Sequence, residues 1–387
     1  MKLAKRMSRL STETAFEVLA KAKAMEAQGR QVVHLGIGEP DFDTPANIVE
    51  AAVKALHSGY THYTPSAGLP QFREAIANEV AGTREIEVHP DQVVVVPGGK
   101  PIMFFVILAL CEEGDEVIYP NPGFPVYESM INFAGATPVP IPLRMEKAFS
   151  FDVKEFKSLA TDRTRLIILN SPHNPTGGVL SQEDLAAVAE ISMEKDIMVL
   201  SDEIYSRILY EGRFASIATI PGMAKRTIIL DGFSKTYAMT GWRLGYGVMP
   251  RELASHITRL MTNSNSCTAA FTQMAGIEGL TGPQDESYKM VEAFRQRRDV
   301  IVDGLNDIPG FKCLKPKGAF YVFPNIEETG TKSGFLEEYL LEEAGVATLS
   351  GTSFGEYGEG FLRLSYANSI ENIEKALEWI KKAVAKL

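Results

Sequence analysis

The most informative part of the chain lies just past its middle and reads Asp231-Gly232-Phe233-Ser234-Lys235-Thr236-Tyr237-Ala238-Met239-Thr240-Gly241-Trp242-Arg243-Leu244-Gly245-Tyr246. Two apolar runs flank it, residues 227–230 and 244–248, and both have the composition of buried strands. The stretch is therefore predicted to be a loop that crosses the end of a sheet, a place where functional residues concentrate.

Lys235 is the chemically notable residue of this loop. A loop lysine is ordinarily a solvated surface group, but Lys235 has small and aromatic neighbours rather than other charges, and Arg243 follows in the same loop. Semi-apolar surroundings disfavour the ammonium form and leave a nucleophilic amine. The pattern therefore indicates a lysine that can form a Schiff base.

Apolar runs and helical periodicity alternate along the middle of the chain, which is typical of an α/β sheet with helices on its faces. One predicted helix covers residues 182–195. The predicted strands are residues 93–96, 116–119, 165–169, 197–200, 227–230 and 244–248.

The polar residues 281–285 are predicted to be a domain boundary. A predicted helical region, residues 251–279, precedes this boundary. After it we predict helices at 288–306 and 371–386 and a strand at 318–323. At the other end, residues 12–28 have helical periodicity and 32–35 form a short apolar run. We therefore predict a large domain over residues 46–283 and a smaller α+β domain over 284–387, which the N-terminal segment 1–45 joins.

The residues that follow each predicted strand are the first candidates for a site, because ligands of α/β sheets bind beyond the carboxyl ends of the strands. Gly98-Gly99-Lys100 would turn backbone N–H groups towards an anion, although such a turn is often only structural. Phe124, fixed between two prolines, could cover a flat ligand or fill the core. Asn174 lies in a Pro/Gly turn, and a carboxylate, Asp202, directly follows its strand.

Taken together, these motifs closely resemble those of class I aminotransferases that use pyridoxal 5′-phosphate (PLP) and have the aspartate aminotransferase fold. The matches begin near Leu35, include the Lys235 loop, and end near Ser369, in the family's order. The resemblance implies the α/β architecture of fold type I PLP-dependent transferases: a large domain with a mostly parallel sheet flanked by helices, plus a smaller α+β domain.

The resemblance also implies a role for each matching residue towards the cofactor. Lys235 would carry PLP and be the catalytic residue, and Asp202 would keep the ring nitrogen protonated. The other expected cofactor contacts are the phosphate ligands Gly99, Lys100, Ser234 and Arg243, the stacking residue Phe124, and the ring-oxygen donors Asn174 and Tyr205. The chain departs from the family pattern at Gly232, where a phosphate-binding serine is usual.

Further matching positions concern the substrate and a second subunit. Arg363 would hold the substrate α-carboxylate, and Gly38, Phe124 and Asn174 would complete the substrate site. Tyr63 resembles the tyrosine that reaches the phosphate of the neighbouring subunit, so the resemblance implies a homodimer.

The expected activity is transfer of an amino group from an L-amino acid to a 2-oxo acid by a ping-pong mechanism. The overall resemblance favours aspartate as donor and 2-oxoglutarate as acceptor, although the cation for a distal carboxylate stays open between Lys100, Arg144 and others. Alanine, aromatic or broad donor specificity, or a PLP-dependent C–S lyase reaction, are the alternatives. A PLP-sensing transcription regulator would need an added DNA-binding domain.

The composition limits the partners and the compartment. A formal net charge of -10 argues against nucleic acid as a partner. No apolar run reaches the length of a membrane span, and the basic N-terminus has no apolar segment after it. Cys111, Cys267 and Cys313 have neither metal-ligand nor redox spacing, so we expect reduced thiols, no metal site and a cytoplasmic protein.

Overall fold

A seven-stranded sheet forms the centre of the molecule, in a computed structural model that describes residues 1–387. The β-strands of the chain are β1 Val33–His34, β2 Val93–Val96, β3 Glu116–Asn121, β4 Thr137–Pro142, β5 Thr164–Asn170, β6 Met198–Asp202, β7 Thr227–Gly232, β8 Gly245–Val248, β9 Tyr321–Val322, β10 Val346–Ala347, β11 Leu349–Ser350 and β12 Leu362–Ser365.

The order of the strands in the large sheet is β2-β8-β7-β6-β5-β3-β4. β8 is antiparallel to both of its neighbours, and every other pair is parallel. The predicted α/β fold with a mostly parallel sheet is confirmed. The carboxyl ends of β3, β5, β6 and β7 therefore meet at one edge of the sheet.

Helices cover both faces of this sheet and build the remainder of the chain. They are α1 Ala15–Ala27, α2 Ala46–His57, α3 Pro70–Arg84, α4 Lys100–Leu110, α5 Val126–Ala134, α6 Val153–Leu159, α7 Gln182–Lys195, α8 Arg251–Ser264, α9 Ala270–Thr281, α10 Asp285–Asn306, α11 Ser333–Ala344 and α12 Ile370–Val384. Short 3-10 helices connect several of these elements, including Thr240–Trp242 in the Lys235 loop.

The strands of the large sheet are buried on both faces, which explains their continuous apolar composition. Val94 and Val96 pack in one core with α4, α5 and α8. Val93 and Val95 point to the other face and pack with α2, α3 and α9. A further core on this second face lies between β5, β6 and helices α6 and α7.

A separate core unites the two ends of the chain. It contains 27 buried residues, drawn mostly from α10, α11, α12 and the short strands, and it includes Val33 and Leu35 from the N-terminal segment. β1 pairs with β10 in parallel, and β9, β12 and β11 form a small antiparallel sheet. The N-terminal segment therefore packs with the C-terminal region.

Several predicted elements differ from the structure at their limits. The first helix begins at Ala15 rather than at residue 12, and Ser11 instead exchanges hydrogen bonds with Ser129 of α5. The helical region 251–279 is two helices, and the strand predicted at 318–323 is reduced to Tyr321–Val322, with Gly318 in an isolated bridge to Leu209. β4 was not predicted because it has proline at every second position, which only an edge strand accommodates.

Candidate active site

A cavity of about 370 Å³ opens at the carboxyl ends of the parallel strands. The structure brings together every predicted site residue except one in its lining: Gly38, Gly99, Lys100, Phe124, Asn174, Asp202, Tyr205, Ser234, Lys235, Arg243 and Arg363. The exception is Tyr63, which lies on the surface with 89% of its area exposed. Segments far apart in the chain therefore converge on one pocket.

Lys235 projects into this pocket from the loop between β7 and β8. Its Nζ donates a hydrogen bond to the Gly38 carbonyl oxygen and lies 5.8 Å from the centre of the Phe320 ring. Burial lowers the pKa of Lys235 to about 8, and the cations of Arg363 and Lys100 act in the same direction while Glu39 opposes them. A substantial fraction of this amine is therefore neutral near pH 8, as a nucleophile or base requires.

Asp202 is the last residue of β6 and its side chain is buried beneath the pocket. The Tyr127 hydroxyl, from α5, donates to Asp202 Oδ2 at 2.7 Å, and the Ile204 N–H donates to Oδ1 at 3.3 Å. Burial raises the pKa of Asp202 to about 6 although both hydrogen bonds lower it. The carboxylate therefore has a fixed orientation and gains from any cation placed beside it.

Arg363 lies on β12 with 4% of its area exposed. Its guanidinium is held between two aromatic rings, 4.6 Å from the Tyr321 centroid and 4.8 Å from that of Phe354. Nη1 donates to Asn174 Oδ1 at 3.2 Å and Nη2 donates to the Gly36 carbonyl oxygen. Nε is buried and has no hydrogen-bond partner, whereas the other two guanidinium nitrogens are engaged.

The wall near Gly38 is built by two tyrosines. The hydroxyl groups of Tyr205 and Tyr321 are 2.7 Å apart and hydrogen-bonded. A Cβ on Gly38 would lie 2.1 Å from the Tyr321 hydroxyl, so only glycine fits at this position. Tyr205 was predicted to contact a ring oxygen, and its buried hydroxyl group does line the pocket.

One side of the pocket is suited to an anion. Helix α4 begins at Lys100 and no side chain caps its first turn, which leaves backbone N–H groups for a ligand. Arg243 lies beside it, and a Cβ on Gly98 would come within 2.1 Å of Arg243 Nη2. Ser234 contributes a hydroxyl group to the same cavity. These groups have the charge and the donors that a phosphate prefers.

Gly232, where the family usually has serine, has a packing explanation. It lies at the end of β7, and a Cβ there would be 3.0 Å from Gly245 Cα and 3.1 Å from the Leu244 carbonyl oxygen. Backbone atoms cannot move aside as a flexible side chain can. The close approach of β7 and β8 therefore disfavours a serine at this position.

Several residues that shape the pocket could not be selected from sequence patterns. Glu13, from the N-terminal segment, pairs with Lys100, whose ammonium lies 5.3 Å from the Phe124 ring centroid. Tyr127 and Tyr321 were not predicted either. Only their places in the chain could have indicated these tyrosines as site residues. Tyr127 lies within the loop and helix that follow β3, and Tyr321 lies on a predicted strand.

This set of residues fits PLP on the evidence of the structure. The pocket has a buried amine with a lowered pKa, a buried carboxylate, an uncapped helix N-terminus beside an arginine, and a second buried arginine with an unused N–H. Phe124 lines the cavity as an aromatic wall between the anion side and Asp202. A phosphorylated cationic ring and an amino acid carboxylate would match these charges.

Comparison with known proteins assigns the class. Residues 30–380 match the family described as Aminotransferase class I and II, so the chain belongs to this family. The chain is therefore an aminotransferase, and its cofactor is PLP. The fold type and the PLP-dependent aminotransferase class inferred from the sequence motifs are confirmed.

Individual relatives match over their whole length. The chain is 42% identical to the "Probable aspartate/prephenate aminotransferase" of Aquifex aeolicus, covering 100% of this chain and 99% of that protein. Among solved structures, the aspartate aminotransferase from Rhizobium meliloti has a TM-score of 0.96 at 36% identity, and the alanine aminotransferase from Pyrococcus furiosus has 0.95 at 33%. Each of the two alignments covers 100% of both chains.

Two further features bear on possible partners. No helix combines the length and the apolar character needed to cross a membrane. The structure contains no group of three or more His, Cys, Asp or Glu side chains placed to hold a metal ion.

Proposed function

We propose that the protein transfers the amino group of L-aspartate to 2-oxoglutarate by a ping-pong mechanism. The observation that carries this proposal is the distribution of cations in the pocket. Four basic side chains line it: Lys100, Lys235, Arg243 and Arg363. Three have roles that any amino acid substrate would require, and Lys100 is left for a second carboxylate.

The residues that would hold PLP follow from the geometry of the site. The anion side would take the phosphate with the backbone N–H groups of Gly99 and Lys100 at the start of α4, Ser234 and Arg243, which leaves the Lys100 ammonium free, and Asp202 would face the ring nitrogen. Phe124 would stack on the ring, while Asn174 and Tyr205 would reach its oxygen. When bound, PLP supplies an electron sink for the negative charge that develops at the substrate Cα.

Lys235 is the residue we assign to proton transfer. Because burial lowers the pKa of Lys235 to about 8, its Nζ can take a proton from the substrate Cα near neutral pH. The Gly38 carbonyl oxygen accepts a hydrogen bond from this amine and so limits its position. Aromatic side chains, among them Phe124 and Tyr321, line the cavity around this amine.

Arg363 would bind the substrate α-carboxylate. Its guanidinium is already held in place by Tyr321, Phe354 and Asn174, so binding costs little side-chain entropy. Arg363 also lines the cavity, so its charge is available to a carboxylate there. Gly38 lines the same cavity and would contact the substrate through its backbone.

Lys100 is our candidate for the distal carboxylate of aspartate. Arg144, the other cation considered from the sequence, lies outside the pocket lining and pairs with Glu155. Lys100 pairs with Glu13, so a bound dicarboxylate would replace the Glu13 carboxylate at the same ammonium. This exchange would leave Lys100 paired in both states, while Glu13 would lose its partner.

Replacing Lys100 tests the substrate assignment. K100A should lower kcat/KM for aspartate about ten- to a hundredfold through loss of a charge-assisted hydrogen bond, and should change the value for alanine far less. R144A is the matched control, because it removes a cation outside the pocket. Equal losses for aspartate and alanine in K100A would show that Lys100 does not recognise the distal carboxylate.

Two alternative activities are separated by simpler measurements. The alanine aminotransferase from Pyrococcus furiosus shares the fold closely, so alanine, aromatic and broad donors belong in the same assay. Parallel double-reciprocal lines, and one equivalent of 2-oxo acid per site without an acceptor, are expected for ping-pong transfer. Repeated release of pyruvate and ammonia from a sulfur amino acid without an acceptor would instead identify a C–S lyase.

We further propose a cytoplasmic homodimer in which Tyr63 reaches the neighbouring site. Its almost complete exposure leaves the tyrosine available to a second subunit. All three cysteines are free, in keeping with a reducing compartment.

The division into segment 1–45, large domain 46–283 and small domain 284–387 is supported by the separate core that joins the two ends of the chain.

A further inference from the structure

A buried ionic cluster lies on the two strands that lead to the active site, and the proposed mechanism does not use it. Arg84, the last residue of α3, donates from Nε to Glu203 Oε2 at 3.0 Å and from Nη2 to Asp231 Oδ2 at 2.8 Å. Its side chain is 3% exposed, and those of Glu203 and Asp231 are 1% and 9% exposed. We call these three residues the Arg84 cluster.

The hydrogen bonds of the cluster are extensive. Arg84 Nη2 also donates to Ser206 Oγ at 3.2 Å, and Ser201 Oγ donates to Glu203 Oε1 at 2.9 Å. Asp231 Oδ1 accepts from the Gly232 N–H at 2.7 Å. Burying three charges is costly, and an apolar replacement is often no less stable, so stability alone does not explain the cluster.

The position of the cluster relates it directly to Asp202. Glu203 follows Asp202 in the chain, and the strand partner of Asp202 is Leu230, the residue before Asp231. The Glu203 N–H also donates to the Leu230 carbonyl oxygen at 2.8 Å. Two carboxylates therefore lie next to Asp202 along these strands, and a single guanidinium pairs with both.

We propose that Arg84 is a positioning residue of the active site, which keeps the Asp202 carboxylate ionised by offsetting part of the negative charge of Glu203 and Asp231 beside it. This inference rests on the role of Asp202 given under Proposed function. Glu203 and Asp231 both disfavour ionisation of Asp202, and Arg84 lowers the pKa of Asp231 against the effect of burial. Without Arg84, the charge beside Asp202 becomes more negative.

The other titratable and charged groups around Asp202 do not replace Arg84. Tyr127 from α5 donates a hydrogen bond to Asp202, and Tyr205 lies beyond it with a pKa raised by burial. Lys235 faces the same pocket from the loop after β7. Arg84 is the cation that contacts both additional carboxylates.

The test measures the dissociation constant of PLP from the apoprotein as a function of pH. In R84M, the pH below which PLP binding weakens should rise by about one unit, which is the pKa shift that a single neighbouring charge typically causes. The triple variant R84M/E203Q/D231N removes one positive and two negative charges, so this pH should fall below that of the wild type. The opposite signs separate an electrostatic role from general destabilisation.

R298M is the matched control. Arg298 is equally buried, with 3% of its side chain exposed, and it pairs with Asp299 and Glu211 outside the pocket. R298M should lower the melting temperature without moving the pH midpoint of PLP binding. If R84M behaves like R298M, or if the triple variant shifts the midpoint upwards, Arg84 has only a structural role.

The triple variant also serves if R84M does not fold, because no unpaired buried charge remains in it. Failure of this inference differs from failure of the proposed function. If the proposed role of Asp202 is wrong, D202N will bind PLP with the same pH dependence as the wild type. If only the inference about Arg84 is wrong, D202N will lose that dependence while the midpoint of the triple variant stays at the wild-type value.

Discussion

Asp202 carries a charge that the folded chain alone stabilises poorly. Burial raises the pKa of Asp202 from 3.8 to about 6, so the folded state binds this proton more tightly than the unfolded chain does. The stability that this proton contributes is complete below pH 3.8 and is lost as the pH rises through 6. A buried carboxylate held ready for a cationic ligand therefore lowers the stability of the apoprotein near neutral pH.

D202N should for this reason stabilise the apoprotein at pH 8. The gain is at most about 3 kcal/mol, from a shift of roughly two units at 1.36 kcal/mol each, and it should shrink towards zero near pH 4. Urea denaturation of wild type and D202N at both pH values measures it. A difference that is the same at pH 4 and pH 8 would mean that ionisation of Asp202 is not its source.

At this scale the sequence was informative where chemistry depends on a single residue after a strand. Lys235 and Asp202 could be found because each follows an apolar run. Arg84 could not be found in this way, because its partners Glu203 and Asp231 lie 119 and 147 residues away in the chain and only the fold brings them together. Glu13 was missed because residues before the first helix show no pattern that predicts a pocket.

At the scale of secondary structure, the anion side of the pocket depends on how closely two backbones approach. A Cβ on Gly245, at the start of β8, would lie 2.6 Å from the Gly99 nitrogen and 2.8 Å from the Gly98 carbonyl carbon. Neither backbone atom can rotate away. The turn that presents the start of α4 to a phosphate therefore requires glycine on the neighbouring strand.

G245A should displace this turn and weaken PLP binding together with the fold. We expect a loss of about 1–3 kcal/mol of unfolding free energy, typical of overpacking, and a clear rise in the PLP dissociation constant. The control is G241A in the same loop, where an added Cβ meets nothing within 4 Å. Thermal melts and PLP titration test both variants, and equal effects of G241A and G245A would contradict this explanation.

Some large elements were predictable because their patterns are long, although the helices α2, α3 and α11 were not predicted. The predicted limits of α7, residues 182–195, coincide with those in the structure. β9 and β11 have only two residues each, too few for an alternating pattern to be recognised. Their pairing depends on contacts within the core shared by the two ends of the chain, which no local pattern encodes.

At the scale of the whole molecule, the proposed homodimer makes the two sites depend on both subunits. Tyr63 is absent from the pocket lining of its own chain and is exposed, whereas Lys235 and Asp202 line that pocket. If Tyr63 serves the partner's site, a Tyr63 variant damages the site of the partner subunit, whereas a Lys235 variant damages the site of its own subunit. One intact site can then form in a mixed dimer.

Mixing K235A with Y63A should therefore restore activity. K235A should be inactive because it lacks the amine, and Y63A should be weak at limiting PLP because it lacks a phosphate contact. In the mixed dimer, Lys235 of the Y63A subunit meets Tyr63 of the K235A subunit, giving up to one wild-type site per dimer. K235A mixed with D202N is the control and should stay inactive, since both changes damage the subunit's own site. The mixture is denatured and refolded so that subunits exchange, and activity is measured at limiting PLP. If this activity never exceeds that of the Y63A portion alone, Tyr63 lies outside the neighbouring site.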